Sequence, residues 1–152
     1  MMQLSDYMHT PPTTCAPTAT LADVARLMEF DEVGSVVVLK DTGEIAGIVT
    51  DRDLVVRGLA REGGPSTPVA TVMSAPVFTV HEHEDAYDAA TKMARAGCRR
   101  LPVVNVTGQL QGVVSLDDIV HLFTRRPARG SVERPGHDAQ AGPSASGSGA
   151  RT

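Results

Sequence analysis

Two short stretches of the chain place a hydroxyl and a carboxylate three residues apart, a spacing that can bind a phosphorylated sugar. They are Gly47–Asp53 (GIVTDRD) and Gly112–Asp118 (GVVSLDD). Their hydroxyl residues, Thr50 and Ser115, stand where a helix is expected to begin, and unpaired N–H groups and the helix dipole favour anions there. The aspartates can accept hydrogen bonds from both hydroxyls of a ribose. The same spacing is also typical of helix capping, which needs no ligand, so both interpretations stay open.

The two stretches belong to an internal repeat. Sliding the sequence along itself by about 65 positions aligns its two halves without a gap. Identical residues meet at Met8 and Met73, at Asp23 and Asp88, and at Asp53 and Asp118. Apolar residues match apolar ones between these positions, which indicates that one folding unit occurs twice.

The sequence of each half predicts the same order of secondary-structure elements, β-α-β-β-α. A Pro-containing leading segment comes first, followed by a helix with apolar residues at helical spacing. Thr20 with Asp23, and Asp85 with Asp88, predict capping boxes at the starts of these helices. Two short strands joined by a hairpin turn then lead into a second helix. The predicted bounds are Ser35–Leu39, Ile45–Val49 and about 51–60 in the first half, and Leu101–Asn105, Leu110–Val114 and about 116–124 in the second.

The predicted fold class is α/β (α+β), built from two such units that share apolar faces, because a unit of this size buries little surface alone. The predicted organisation is unit 1 at 1–60, a linker at 61–68, unit 2 at 69–125 and a tail at 126–152. The tail is rich in Gly, Pro, Ser and Ala. It has too few apolar side chains to offset the entropy of ordering, so we expect it to be disordered.

Composition restricts the class of protein. The 152 residues are 41% hydrophobic and 21% charged with a formal net charge of −4, so nucleic acid is not an expected partner. No apolar run is long enough to span a membrane. The N-terminus has neither the basic nor the apolar region of an export signal, and the cysteines do not make a disulfide framework. A cytoplasmic location is therefore expected.

The glycine-to-aspartate stretches, together with the strand Leu101-Pro-Val-Val104, resemble CBS domains, and two in tandem resemble a Bateman module of the stand-alone bacterial type. The resemblance covers roughly Leu4 to Leu122. It implies two units packed about a pseudo-twofold axis, with clefts that hold AMP, ADP, ATP, S-adenosylmethionine or a related adenosyl ligand. It also implies a regulatory module without catalysis, and association into a homodimer. A ligand-independent module for binding a protein partner remains the alternative.

The resemblance also assigns residues to two clefts. The aspartate is expected to bind ribose, and the Ser or Thr ribose or phosphate. Arginine pairs phosphate bidentately, so the cleft that carries the paired arginines is expected to be the better phosphate site. Its predicted residues are Thr10, Pro11, Pro12, Arg99, Arg100, Ser115 and Asp118. The second cleft is expected to use Thr50, Arg52, Asp53, Ala75, Pro76 and Val77.

Three other features receive simpler interpretations. The segment His81–Asp85 (HEHED) has residue types that bind zinc, but a solvated loop is the expected state, and no metal or cofactor is predicted. Cys15 and Cys98 are expected to be small buried residues, with a redox pair as the alternative. The arginines at the start of the tail are expected to be solvated rather than bound to nucleic acid; they are Arg125, Arg126, Arg129 and Arg134.

Overall fold

The computed structural model describes residues 2–124, so the predictions for the tail and its arginines lie outside the described residues. The elements follow one another as β1 (Thr14–Cys15), α1 (Leu21–Asp31), β2 (Ser35–Leu39), β3 (Ile45–Thr50), α2 (Asp51–Asp53), β4 (Val80–His81), α3 (Ala86–Ala96), β5 (Arg100–Val104), β6 (Leu110–Ser115) and α4 (Leu116–Thr124). The predicted β-α-β-β-α order is therefore confirmed in both halves. No helix within residues 2–124 has the length and apolar character needed to cross a membrane.

The starts of the first helices show how local sequence determines these elements. At α1 the capping box forms as predicted: Asp23 N–H donates to Thr20 Oγ1 at 3.2 Å, and Thr20 N–H donates to Asp23 Oδ2 at 3.1 Å. At α3 the box predicted between Asp85 and Asp88 is wrong. Asp85 instead accepts from the N–H of Tyr87 and from the N–H of Met2, because the N-terminal segment pairs with this helix start.

Each half contains a three-stranded sheet with the same pairing. β1 is parallel to β2, which is antiparallel to β3, and β4, β5 and β6 repeat this order. The hairpin turns place Gly43 and Gly108 at φ of 83° and 82°, which only glycine adopts readily. The pairing register shifts at Val38/Leu39 and, at the corresponding position, at Val103/Val104. The two halves are thus structural copies as well as sequence copies.

The second helices of the two halves differ. α4 is a regular α-helix over its nine residues. After Asp51–Asp53, α2 continues as a π-helical turn over Leu54–Gly58 and ends as a 3₁₀ turn over Leu59–Arg61. A helix was predicted over about 51–60, and the change of winding within it is a departure from that prediction.

The segments that lead into the two halves are exchanged between them. Leu4 is fully buried in the core of the second half, whereas Val69 and Val72 are buried in the core of the first. The backbone pairing between the two halves is also reciprocal. His9 pairs with Val113, and Ser74, the repeat equivalent of His9, pairs with Ile48, the repeat equivalent of Val113. This reciprocity follows from a twofold relation between the halves, and it makes each core depend on chain from both sequence units.

Candidate functional site

The junction between β6 and α4 holds one of the predicted hydroxyl–carboxylate pairs. Ser115 N–H and Ser115 Oγ donate to Asp118 Oδ2 at 3.0 and 2.6 Å, and Asp118 N–H donates to Ser115 Oγ at 3.0 Å. These bonds fix the carboxylate at the start of α4. Within residues 2–124, Asp118 Oδ1 accepts no hydrogen bond, so this oxygen is available to a ligand hydroxyl.

Asp118 lines a cavity of about 200 Å³ between the two halves, hereafter the Asp118 cleft. The first half supplies the leading segment, the end of α1 and the start of β2, and the second half supplies β5, β6 and α4. Its lining residues are His9, Thr13, Glu32, Val33, Gly34, Ser35, Arg100, Val113, Ser115 and Asp118. Any molecule that fills this cleft therefore touches both halves at once.

The two predicted arginines take different positions. Arg100 lines the Asp118 cleft and its guanidinium lies against Gly34, where an added Cβ would be only 2.7 Å from Arg100 Nη2. Gly34 thus leaves the space that the guanidinium needs. Within the described residues Arg100 forms no ion pair. Arg99 does not line the cleft; its Nη2 lies 3.1 Å from Asp117 Oδ1 in a pair whose side chains are about 70% exposed.

The leading segment contributes different residues from those predicted. Thr10 Oγ1 donates to the carbonyl of Gln111 at 3.1 Å and is exposed. The cleft lining includes the flanking residues His9 and Thr13 but not Thr10, Pro11 or Pro12.

Glu32 is a cleft residue that sequence reasoning did not find, although a signal for it exists. It ends α1 in the left-handed region at φ 54°, and its repeat counterpart is Gly97 at φ 66°. The left-handed conformation is common at the end of a helix, and Glu62 adopts it outside the cleft. The signal in the sequence is therefore the charged residue at a position where the repeat has glycine.

At the corresponding junction in the first half, between β3 and α2, both carboxylate oxygens of Asp53 face protein groups. Thr50 N–H donates to Asp53 Oδ2 at 2.9 Å, and Asp53 N–H donates to Thr50 Oγ1 at 3.2 Å. The other oxygen, Oδ1, faces Nε of Arg57 at 3.7 Å. We refer to Thr50, Asp53, Arg57 and Ser74 as the Asp53 junction, because Arg57 Nη1 also donates to Ser74 Oγ at 3.2 Å.

The remaining residues predicted for the second cleft make no side-chain hydrogen bond or ion pair with the Asp53 side chain. Ala75 and Pro76 are exposed and Val77 is half-buried. Arg52 is exposed and lines a surface groove with Asp51, Val55 and Val56.

The cysteines are free and half-buried. Burial, with a smaller contribution from the charge of Asp23, raises the pKa of the Cys15 thiol to about 11. Burial also raises the pKa of the Cys98 thiol. Both thiols therefore disfavour the reactive thiolate form.

The acidic and histidine-rich segment before α3 forms one ion pair and one further polar contact. Glu84 contacts Lys92 Nζ at 2.8 Å, and His83 Nε2 lies 3.6 Å from Glu82. Within residues 2–124, no three His, Cys, Asp or Glu side chains come together in an arrangement that could hold a metal ion.

Comparison with known proteins gives a consistent result. The model of the CBS domain family matches residues 4–58 and 69–125. A protein of Methanopyrus kandleri is 37% identical over 110 residues, which is 72% of this chain and 56% of that protein, so the chain spans little more than half of that relative. The CBS domain-containing protein YhcV of Bacillus subtilis is 34% identical over 119 residues, covering 78% of this chain and 84% of YhcV.

A solved structure extends the likeness to three dimensions. It is a CBS domain protein of Pyrobaculum aerophilum complexed with AMP, and it superposes with a TM-score of 0.71 at 28% identity. The match covers 81% of this chain and 99% of that one.

Proposed function

The chain belongs to the CBS-domain family, as a tandem pair of CBS domains, and we propose that it is a regulatory module that binds an adenine nucleotide in the Asp118 cleft. It carries out no catalysis of its own and acts in the cytoplasm. The observation that carries the proposal is that one cavity holds two oppositely charged groups, each with free hydrogen-bonding capacity. Asp118 offers an unoccupied carboxylate oxygen, and Arg100 offers a guanidinium without an ion-pair partner among the described residues.

These groups suit the parts of a nucleotide. The carboxylate of Asp118 accepts from ribose hydroxyls, and the guanidinium of Arg100 pairs with the phosphate. Val33 and Val113 supply apolar lining for the base. The AMP complex of the Pyrobaculum relative supports this ligand class.

The size of the cleft connects binding with regulation. Its volume of about 200 Å³ is below the roughly 300–1,000 Å³ typical of small-molecule sites, so we expect a nucleotide to widen it. Because the walls come from both halves, widening changes the packing of one half against the other. A ligand that binds the wider state better shifts the equilibrium towards that state.

We further propose that the chain forms a homodimer through its helices. Val55 and Val120 are repeat-equivalent and 56% and 49% exposed, and Leu59 and Phe123 on the same helices are also exposed. Apolar side chains left exposed in numbers mark interaction surfaces. Sedimentation equilibrium should show a dimer for the wild type and a monomer for V55E/V120E, whereas a monomeric wild type would contradict the proposal.

A ligand-independent module for binding a protein partner is the second candidate function. It is favoured by the capping bonds at Thr50–Asp53 and Ser115–Asp118, which give both aspartates a structural role at the start of a helix. In that case both aspartates serve only to start helices.

A thermal-shift panel distinguishes the two functions. AMP, ADP, ATP, S-adenosylmethionine and NAD are added to the wild type and to Asp118→Ala. A ligand at a hundred times its dissociation constant adds about 2.7 kcal/mol to stability, which raises Tm by about 5–10 °C for a chain of this length. We expect one adenine nucleotide to give this shift and the variant to lose it. A panel without any shift in the wild type would favour the partner-binding module.

A further inference from the structure

The two aspartate junctions are equivalent in sequence but differ in what faces the carboxylate, and from this we infer that Arg57 occupies the ribose position of the Asp53 junction. The chain consequently binds one nucleotide, beside Asp118, instead of two. This inference rests on the proposed function, since it concerns the number of sites that the same chemistry provides.

The contacts of Arg57 hold it across the junction. Its Nε lies 3.7 Å from Asp53 Oδ1, and its Nη1 donates to Ser74 Oγ at 3.2 Å and to the carbonyl of Val72 at 3.4 Å. The guanidinium thus bridges the start of the helix and the leading segment of the second half. The Asp53 side chain is only 17% exposed. A ribose would have to displace Arg57 before its hydroxyls could reach Oδ1.

Within residues 2–124, no lysine or arginine lies within ion-pairing distance of Asp118. The repeat counterpart of Arg57 is Leu122, which is partly buried and packs against the core of the second half. The counterpart of Ser74 is His9, whose backbone pairs with Val113. Asp118 Oδ1 is consequently left without a protein partner among the described residues, whereas its equivalent in Asp53 faces a guanidinium.

The π-helical turn supports this difference. Arg57 lies within it, and its end is marked by Leu59 N–H donating to the carbonyl of Leu54. Gly58, in the same turn, is buried against α1, and an added Cβ would lie 2.9 Å from Leu21 Cδ1. This close approach anchors the segment that carries Arg57, and π turns are frequent at functional sites. The regular helix α4 has no such turn.

Isothermal titration with AMP tests the inference through the number of sites. We expect one site per chain in the wild type and two in Arg57→Leu, which introduces the residue found at the equivalent position 122. Adding Asp53→Ala to this variant should return it to one site. Arg61→Leu is the matched control, because it removes the same charge from an exposed position in the following turn, and it should keep one site.

Each alternative result has a separate meaning. If Arg57→Leu binds AMP at one site and melts at the same temperature as the wild type, the proposed role of Arg57 is wrong. Two AMP sites in the wild type would also contradict that role. If Arg57→Leu melts at a lower temperature, Arg57→Ala is measured in its place under the same criteria. No binding by the wild type, but binding by Arg57→Leu that Asp53→Ala abolishes, would refute the proposed Asp118 site while keeping Arg57 as the blocking residue. No binding by any of these proteins would overturn both.

Discussion

Replacing Arg100 with alanine removes the proposed phosphate contact and little else. The guanidinium lines the Asp118 cleft, lies against Gly34, and forms no hydrogen bond or ion pair with another described residue. Its loss leaves no buried partner unsatisfied. We therefore expect Arg100→Ala to change the free energy of unfolding by no more than about 0.5 kcal/mol, as for surface positions without special contacts.

The effect on binding follows from the charge of the phosphate. A hydrogen bond to a charged group contributes about 1.5–3 kcal/mol. Arg100 is half-buried, so solvent weakens the pairing and a value near 2 kcal/mol applies. Since about 1.4 kcal/mol corresponds to a tenfold change, the Kd for AMP should rise by about 30-fold. Adenosine has no phosphate, and its Kd should change by less than about twofold.

Titration calorimetry with AMP and adenosine measures both quantities. Arg99→Ala provides the matched control, because it removes the same charge one residue away from a side chain that pairs with Asp117 at the surface. We expect Arg99→Ala to bind both ligands as the wild type does. The comparison separates a contact in the cleft from a general change in net charge.

Two results would refute this reasoning. Equal loss of AMP and adenosine affinity in Arg100→Ala would mean that Arg100 shapes the cleft and does not bind phosphate. A loss of AMP affinity in Arg99→Ala equal to that in Arg100→Ala would mean that the effect is long-range electrostatics.

Three further predictions concern the fold and its titrating groups. Leu4→Ala should lower the free energy of unfolding in urea by about 2–5 kcal/mol, because Leu4 is fully buried in the core of the second half; a loss below about 1 kcal/mol would contradict that packing. Burial raises the pKa of Cys15 to about 11. In the variant Cys98→Ser, Cys15 should therefore be alkylated more slowly at pH 8 in the folded chain than in the unfolded chain. Equal alkylation rates would contradict the burial of Cys15. The N–H of Thr20, followed by its hydroxyl, lowers the pKa of Asp23, so this carboxylate stabilises the fold above pH about 4 and stops doing so as the pH falls through its lower folded pKa. Asp23→Asn should accordingly lose less stability than the wild type between pH 5 and 3, and an equal loss would argue against the capping bond.

Most secondary structure could be predicted because it depends on local sequence. Strand Ser35–Leu39 has its predicted bounds, and β6 extends one residue further because Ser115 pairs with Arg100. The π winding after Asp53 was not predictable, since it accompanies the close packing of Gly58 on α1. The exchange of leading segments depends on contacts between residues distant in the chain, and it was the family resemblance that indicated it, by assigning Thr10, Pro11 and Pro12 to the cleft of Asp118.

Part of the lining of the Asp118 cleft could be predicted from the sequence. Ser115, Asp118 and Arg100 line this cleft, as the repeat and the family resemblance placed them together, and their contact with a ligand stays a prediction. His9 and Glu32 come from the other half, and only the tertiary fold brings them to Asp118. Glu32 could have been identified from the sequence, because the repeat aligns this charged residue with Gly97 in the second half.

The crystal structure of the chain with AMP tests the central claim most directly. We predict that AMP lies between the two halves, with its ribose hydroxyls donating to Asp118 Oδ1 and its phosphate within hydrogen-bonding distance of Arg100. We also predict that the volume of the cleft exceeds the value of about 200 Å³ in the present structure. AMP bound elsewhere, or an empty Asp118 cleft at AMP concentrations that saturate the thermal shift, would contradict it.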